Sequence, residues 1–142
     1  RDKCAENIRN ALQQHPDLAC IVGLNAAHGP VLLKTLKEDG QLDKVKLVTF
    51  DDAPETLQGV EDGHIFATLT QDPFGFGYHA VEILCNLKRG DSVGIPIGGR
   101  GAMFFGVEAV NKENVAAYRA KLAEQTGNAE KRAQKKAQGK AA

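Results

Sequence analysis

Three short apolar runs, separated by segments of helical periodicity, constrain the fold of this 142-residue chain most strongly. They cover residues 18–24, 45–50 and 65–70, and each is bounded by polar residues, as in strands buried on both faces. Strands that alternate with helices at this spacing pair in parallel through right-handed crossovers. The sequence therefore predicts an α/β fold around a parallel sheet.

Helix signals fill the segments around these runs. Amphipathic helices are predicted over residues 3–14, 31–39, 54–63 and 74–88, followed by a last one that carries Val115, Tyr118 and Leu122. Asp52 and Asn111 are expected to cap the helices that follow them, and Asp72-Pro73 opens the fourth helix by the same logic. The residues of the fourth helix expected to face inward are Ala80, Ile83, Leu84 and Leu87.

A hydrogen-bonding side chain stands at the end of each predicted strand, and the three are Asn25, Asp51 and Gln71. Because the carboxyl ends of parallel strands form one ligand-binding edge, we expect these side chains to line one site. A carboxylate accepts hydroxyl hydrogens, and a primary amide both donates and accepts. This set suits a neutral polyhydroxylated ligand such as a sugar. A phosphate would call for a glycine-rich loop or basic residues on the same edge.

The acidic pair Asp51-Asp52 leaves an enzyme alternative open. A metal site or a phospho-acceptor site at this pair needs a histidine or a further acid at a neighbouring strand end, and the sequence has neither there. His28 lies on the same edge, but no Ser or Cys nucleophile accompanies it, so contact with ligand or solvent is favoured over a general base. No catalytic residue, metal site or cofactor is predicted.

The later part of the chain changes character. Residues 94–106 are glycine-rich and extended in pattern, with a turn or hinge at Gly98-Gly99-Arg100-Gly101. From about Glu124 the chain is rich in Ala, Gln, Lys and Gly, and we predict a solvated, disordered tail. Residues 129–142 carry a net charge of +4 in a chain of zero formal charge, so the body is mildly acidic and nucleic-acid binding is not predicted.

The three cysteines show no metal-like spacing. Cys20 and Cys85 are expected to be small core residues. A disulfide between Cys4 and Cys20 stays open at the level of sequence.

The strand ends resemble those of type I periplasmic sugar-binding proteins, the substrate-binding components of ABC transporters, and the ribose-binding type most of all. The resemblance is carried by Asn25 after an apolar strand, by Phe50-Asp51, and by Thr70-Gln71-Asp72-Pro73 before an amphipathic helix. Further matches are His15-Pro16-Asp17-Leu18 and Val110-Asn111-Lys112-Glu113-Asn114-Val115. One departure is Ala26, where the family usually has an acid.

The resemblance implies a flavodoxin-like, three-layer parallel lobe of a protein that binds its sugar between two lobes joined by crossing segments. It assigns residues 1–71 and 106–123 to the second lobe and residues 72–105 to a segment that crosses to a first lobe outside this chain. The remaining residues, 124–142, are the basic low-complexity tail. Because Arg1 opens within a helical pattern, we expect the chain to be a portion of a longer protein.

The resemblance also implies binding without catalysis. Asn25, Asp51 and Gln71 would contact the sugar in the substrate-binding component of an ABC sugar importer, in the periplasm or at the outer face of the cell membrane. The expected partners are a small sugar, the transporter permease and, for the apolar face of the fourth helix, the missing first lobe or a second copy of the chain. The alternatives are the effector-binding domain of a sugar-responsive transcription regulator and an α/β enzyme that uses Asp51 and Asp52.

Overall fold

The computed structural model describes residues 2–93 and 104–138. Along the chain its elements are α1 (Asp2–Gln14), β1 (Cys20–Val22), α2 (His28–Glu38), β2 (Lys46–Phe50), α3 (Pro54–Asp62), β3 (Ala67–Thr70), α4 (Pro73–Arg89), β4 (Glu108–Asn111) and α5 (Val115–Gln138). The strands form one sheet in the order β1-β2-β3-β4, and β1, β2 and β3 run parallel. The predicted α/β class and parallel sheet are confirmed, and β4 is a strand that the sequence pattern did not reveal. No helix among the described residues has the length and apolar character needed to cross a membrane.

The hydrophobic core lies between one face of the sheet and the helices α1, α2, α3 and α5. Along β2, Leu47 and Thr49 are fully buried, while Val48 and Phe50 on the opposite face are half-buried. The helix residues that share the core with Leu47 are Ile8, Leu32, Leu36, Leu57, Val60, Val115 and Tyr118. On the opposite face Val22 of β1 is 52% exposed. The prediction that the strands are buried on both faces is therefore wrong for the described residues, because these four helices pack into one cluster and the opposite face is only partly buried.

The chain divides into two compact units. The first comprises residues 1–69 and 109–142, and the second comprises residues 70–108. The first unit contains the core described above, and the second contains α4. The assignment of sequence segments to two lobes and a crossing segment stays a prediction.

The start of α2 and the predicted caps of α3 and α5 differ from the structure. α2 begins at His28, ahead of the predicted residue 31. The N-cap of α3 is Ala53 and has no side-chain capping bond, so the predicted cap at Asp52 is wrong. Asn111 Oδ1 accepts the N–H of Glu113 at 2.9 Å in the turn before α5, so it does not cap that helix as predicted. The prediction for α4 is confirmed, because Asp72 Oδ1 accepts the N–H of Gly75 at 2.9 Å.

The apolar face of α4 is open to solvent. Leu84 is 65% exposed, Leu87 is 56% exposed and Ala80 is also exposed, so the prediction that these three face inward is wrong, while Ile83 is half-buried. Cys20 and Cys85 are exposed free thiols, and the expectation of two core cysteines is wrong as well. Helical or strand periodicity identifies an apolar face, and whether a neighbour covers that face depends on residues far away in the chain.

The predicted disordered tail is helical over most of its length. α5 continues to Gln138, well past Glu124, and the prediction of disorder is wrong as far as that residue. Ala, Gln, Lys and Glu are strong helix formers, so the composition that suggested a tail also supports a helix. The predicted turn at Gly98-Gly99-Arg100-Gly101 and the last residues, 139–142, lie outside the described residues.

Candidate functional site

Asn25 and Asp51 follow neighbouring parallel strands of the first unit. Asp51 comes directly after β2, and Asn25 lies three residues beyond the end of β1, which pairs with β2. Ligands of open parallel α/β sheets bind at this carboxyl edge, because the loops there surround a crevice. The fold therefore puts both predicted residues at the edge where a ligand is expected.

Asp51 has an unusual backbone. Its φ is 66°, which places a non-glycine residue in the left-handed region. Two hydrogen bonds to β3 hold it there: Asp51 N–H donates to Leu69 O at 2.8 Å, and Thr68 Oγ1 donates to Asp51 O at 2.7 Å. Backbone conformations of this kind persist where the surrounding structure fixes them, and they cluster at functional sites.

The adjacent acid, Asp52, has a different environment. Its Oδ2 accepts a hydrogen bond from the hydroxyl of Tyr118 on α5 at 2.9 Å. Tyr118 is only 8% exposed, so this bond joins the β2–α3 connection to the packed side of α5. Asp52 therefore has a structural hydrogen bond, and its environment differs from that of Asp51.

Asn25 belongs to a tight loop with His28, the first residue of α2. Asn25 Oδ1 accepts the N–H of Ala27 at 3.0 Å, and Asn25 Nδ2 lies 3.3 Å from His28 Nε2. The other ring nitrogen, His28 Nδ1, accepts the N–H of Leu24 at 3.0 Å. Asn25 is solvent-exposed and His28 is half-buried, so the side chains are fixed locally and still accessible to a ligand.

Gln71 lies in the second unit, where it directly follows Thr70, the last residue of β3. Its side chain is exposed. Thr70 Oγ1 donates to Glu108 O at 3.2 Å, and Asp72 caps α4, so the residues on both sides of Gln71 are hydrogen-bonded. The structure thus fixes the chain around Gln71 within its own unit.

The first unit also has a groove in which oppositely charged side chains pair. A groove of about 740 Å³ lies along α1 and α2, and the charged residues that line it are Arg9, Lys34, Glu38 and Glu55. Arg9 Nη2 lies 3.2 Å from Glu38 Oε2, and Arg9 Nε lies 2.9 Å from Asp39 Oδ2. The hydrogen bond and charge of Asp39 raise the pKa of Arg9. Among the described residues no group of three His, Cys, Asp or Glu side chains is placed to hold a metal ion.

Sequence reasoning missed two supporting residues, Thr68 and Tyr118. Thr68 reads as an ordinary strand threonine, and Tyr118 reads as an ordinary apolar position of the last helix. Their bonds to Asp51 and Asp52 span 17 and 66 residues of sequence. No local pattern marks such partners, because only the folded chain brings them together.

Comparisons with known proteins identify a family with this fold. The family model described as periplasmic binding protein domain matches residues 1–92. The ribose import binding protein of Salmonella typhimurium is 31% identical over 93 residues, which are 66% of this chain and 31% of that protein. The D-allose-binding periplasmic protein of Escherichia coli is 27% identical over 97 residues, which are 68% of this chain and 31% of that protein. The chain spans about a third of the length of these curated relatives.

Solved structures agree with the same fold class. An ABC transporter solute-binding protein from Agrobacterium vitis, bound with α-D-tagatopyranose, matches with a TM-score of 0.70 and 27% identity, over 80% of this chain and 36% of that chain. A second, from Burkholderia graminis in complex with D-arabinose, matches with a TM-score of 0.68 and 30% identity, over 80% of this chain and 38% of that chain. Both names describe sugar-bound transport proteins.

Proposed function

This chain belongs to the periplasmic binding protein family, and on that premise we propose that it supplies one wall of a sugar-binding cleft in the substrate-binding component of an ABC importer. The observation that carries the proposal is the placement of Asn25 and Asp51 at the carboxyl ends of neighbouring parallel strands. The relatives and solved neighbours are sugar-binding transport proteins, which supports a binding role over catalysis.

Each proposed site residue has a distinct role. Asp51 accepts hydroxyl hydrogens of the sugar through its carboxylate, and Asn25 contributes amide hydrogen bonds. Gln71 contacts the sugar from the chain segment that leads into α4. Sugar binding would shift the protein toward a closed form in which these groups are desolvated, as in other hinged binding proteins.

The partners follow from the same role. We propose that a permease receives the sugar and that the protein acts in the periplasm or at the outer face of the membrane, as the names of the relatives suggest. The rest of the cleft would come from a first lobe. The match covers 31% of the ribose import binding protein, and the first lobe would correspond to a part of that protein outside the match.

Replacement of Asp51 by Asn tests the proposal. Asn tolerates the left-handed backbone about as well as Asp and has nearly the same shape, so Asp51→Asn changes mainly the charge and the accepting capacity. We expect sugar affinity to fall by about 10- to 100-fold, since a hydrogen bond to a charged group contributes ~1.5–3 kcal/mol. Calorimetric titration of the intact protein, with its first lobe, against D-ribose, D-allose, D-arabinose and D-tagatose measures the change.

The matched control is Asp17→Asn, because Asp17 is an exposed acid in the turn before β1. It should bind the same sugar with unchanged affinity. Equal affinities of Asp51→Asn and the unaltered protein would contradict the assignment of Asp51. A protein that is stabilised by divalent metal ions but by none of the four sugars in a thermal-shift screen would favour the enzyme alternative.

A further inference from the structure

The backbone of the loop after β1 holds the ring of His28 in one tautomer. Leu24 N–H donates to His28 Nδ1 at 3.0 Å, and a ring nitrogen that accepts a hydrogen bond carries no proton. A neutral imidazole keeps one proton, which must then be on Nε2. His28 therefore presents Nε2–H as a donor, from the nitrogen that lies nearest the Asn25 side chain.

Asn25 presents a second donor to the same space. Its Nδ2 is 3.3 Å from His28 Nε2, while its Oδ1 is engaged by the N–H of Ala27. Turning the amide by half a turn would set its NH2 group against the N–H of Ala27, so either orientation leaves one pair of donors face to face. Two such donors cannot bond to each other, and both are satisfied when they share an acceptor oxygen.

From this pairing we propose that His28 Nε2–H and Asn25 Nδ2–H together bind one neutral oxygen of the ligand, a hydroxyl or the ring oxygen of a sugar. The proposal rests on the proposed function, since the oxygen belongs to the same sugar whose hydroxyl hydrogens Asp51 accepts. A carboxylate or phosphate oxygen fits less well, because Asp51 at the neighbouring strand end repels a second negative charge. His28 thus becomes a specificity-determining residue.

Proton–nitrogen correlation NMR of the histidine rings tests the pairing directly. At mildly alkaline pH, the signals of His28 are assigned by their loss in His28→Ala. We expect the Nε2-protonated pattern without ligand and a shift of the Nε2 signal when D-ribose, or whichever of the four sugars binds, is added. An Nδ1-protonated ring would overturn the proposal, and so would an Nε2 signal that does not move at saturation with a bound sugar.

Calorimetry provides the second measurement. His28→Ala should bind the sugar about tenfold more weakly, as the loss of one hydrogen bond implies. His28→Gln keeps an N–H donor and should recover part of the affinity, whereas His15→Ala, an exposed position after α1, should leave it unchanged. If the intact protein, with its first lobe, binds none of the sugars, the proposed function fails and the donor pair loses its ligand with it. If the protein binds a sugar and His28→Ala binds it equally well, only the donor pair is overturned.

Discussion

At the scale of single residues, the position of Asp51 depends on a threonine in the next strand. The left-handed backbone of Asp51 costs on the order of 1–3 kcal/mol, and the bond from Thr68 Oγ1 to Asp51 O helps to offset it. Thr68 has a register partner, Thr49 on β2, which is equally buried. Thr49 Oγ1 finds no hydrogen-bond partner among the described residues. Thr68 and Thr49 are thus register partners with equal burial, and of these two only Thr68 has a side-chain hydrogen bond that a substitution would remove.

Valine at each position should separate their roles. Thr68→Val keeps the side-chain shape but removes the donor to Asp51 O, so we expect the free energy of unfolding to fall by about 1–2 kcal/mol. Sugar affinity should fall too, because the Asp51 carboxylate is less firmly placed. Thr49→Val removes a hydroxyl that is buried without a partner and should be neutral or stabilising. Urea denaturation measures both variants, and equal losses would contradict the proposed support of Asp51.

At the scale of elements, the end of β1 and the start of α2 approach so closely that glycine is required between them. A Cβ on Gly23 would lie 2.8 Å from Cβ of His28 and 3.0 Å from Cδ1 of Leu32. Leu32 is only 2% exposed and His28 is held by Leu24, so neither can move freely. This contact places the His28 ring beside Asn25.

Gly23→Ala should therefore disturb both stability and site geometry. We expect the free energy of unfolding to fall by about 1–3 kcal/mol, as for other overpacked contacts, and the His28 ring signals to shift in NMR spectra. Gly77→Ala on α4 is the control, because no atom lies within 4 Å of the added Cβ and alanine favours helix. Chemical denaturation followed by circular dichroism compares the two, and a Gly23→Ala protein as stable as the original would show that the contact is readily relieved.

Local patterns predicted the order of elements well and their surroundings poorly. The strands that end near Asn25 and at Asp51 can be predicted from the sequence, because the length and the apolar content of a strand are properties of consecutive residues. The cap at Asp52 was wrong, because the Tyr118 hydroxyl, 66 residues away, bonds its carboxylate. The prediction that the apolar face of α4 points inward is wrong, because a periodic apolar pattern does not show which residues cover that face. The tautomer of His28 cannot be predicted from the sequence, because it depends on the direction of the N–H of Leu24 in the folded loop.

At the scale of the whole molecule, burial is distributed unevenly between the two units. In the first unit Leu36, Leu47 and Val60 are at most 1% exposed. In α4, by contrast, Gly75 is the only buried residue, while Phe74 and Leu84 are 76% and 65% exposed. A helix of this length is marginal in water without a packed face. The two units should therefore differ in local stability, although the chain is continuous.

Hydrogen exchange followed by mass spectrometry should detect this difference. We expect the amides of β2 to exchange only through global unfolding and those of α4 to exchange much faster through local opening. Leu36→Ala should lower the free energy of unfolding by about 2–5 kcal/mol, whereas Leu84→Ala at an exposed position should change it by less than about 0.5 kcal/mol. Protection of α4 that rises with protein concentration would mean that a second copy covers its apolar face. Protection equal to that of β2 at every concentration would contradict the exposure of this face.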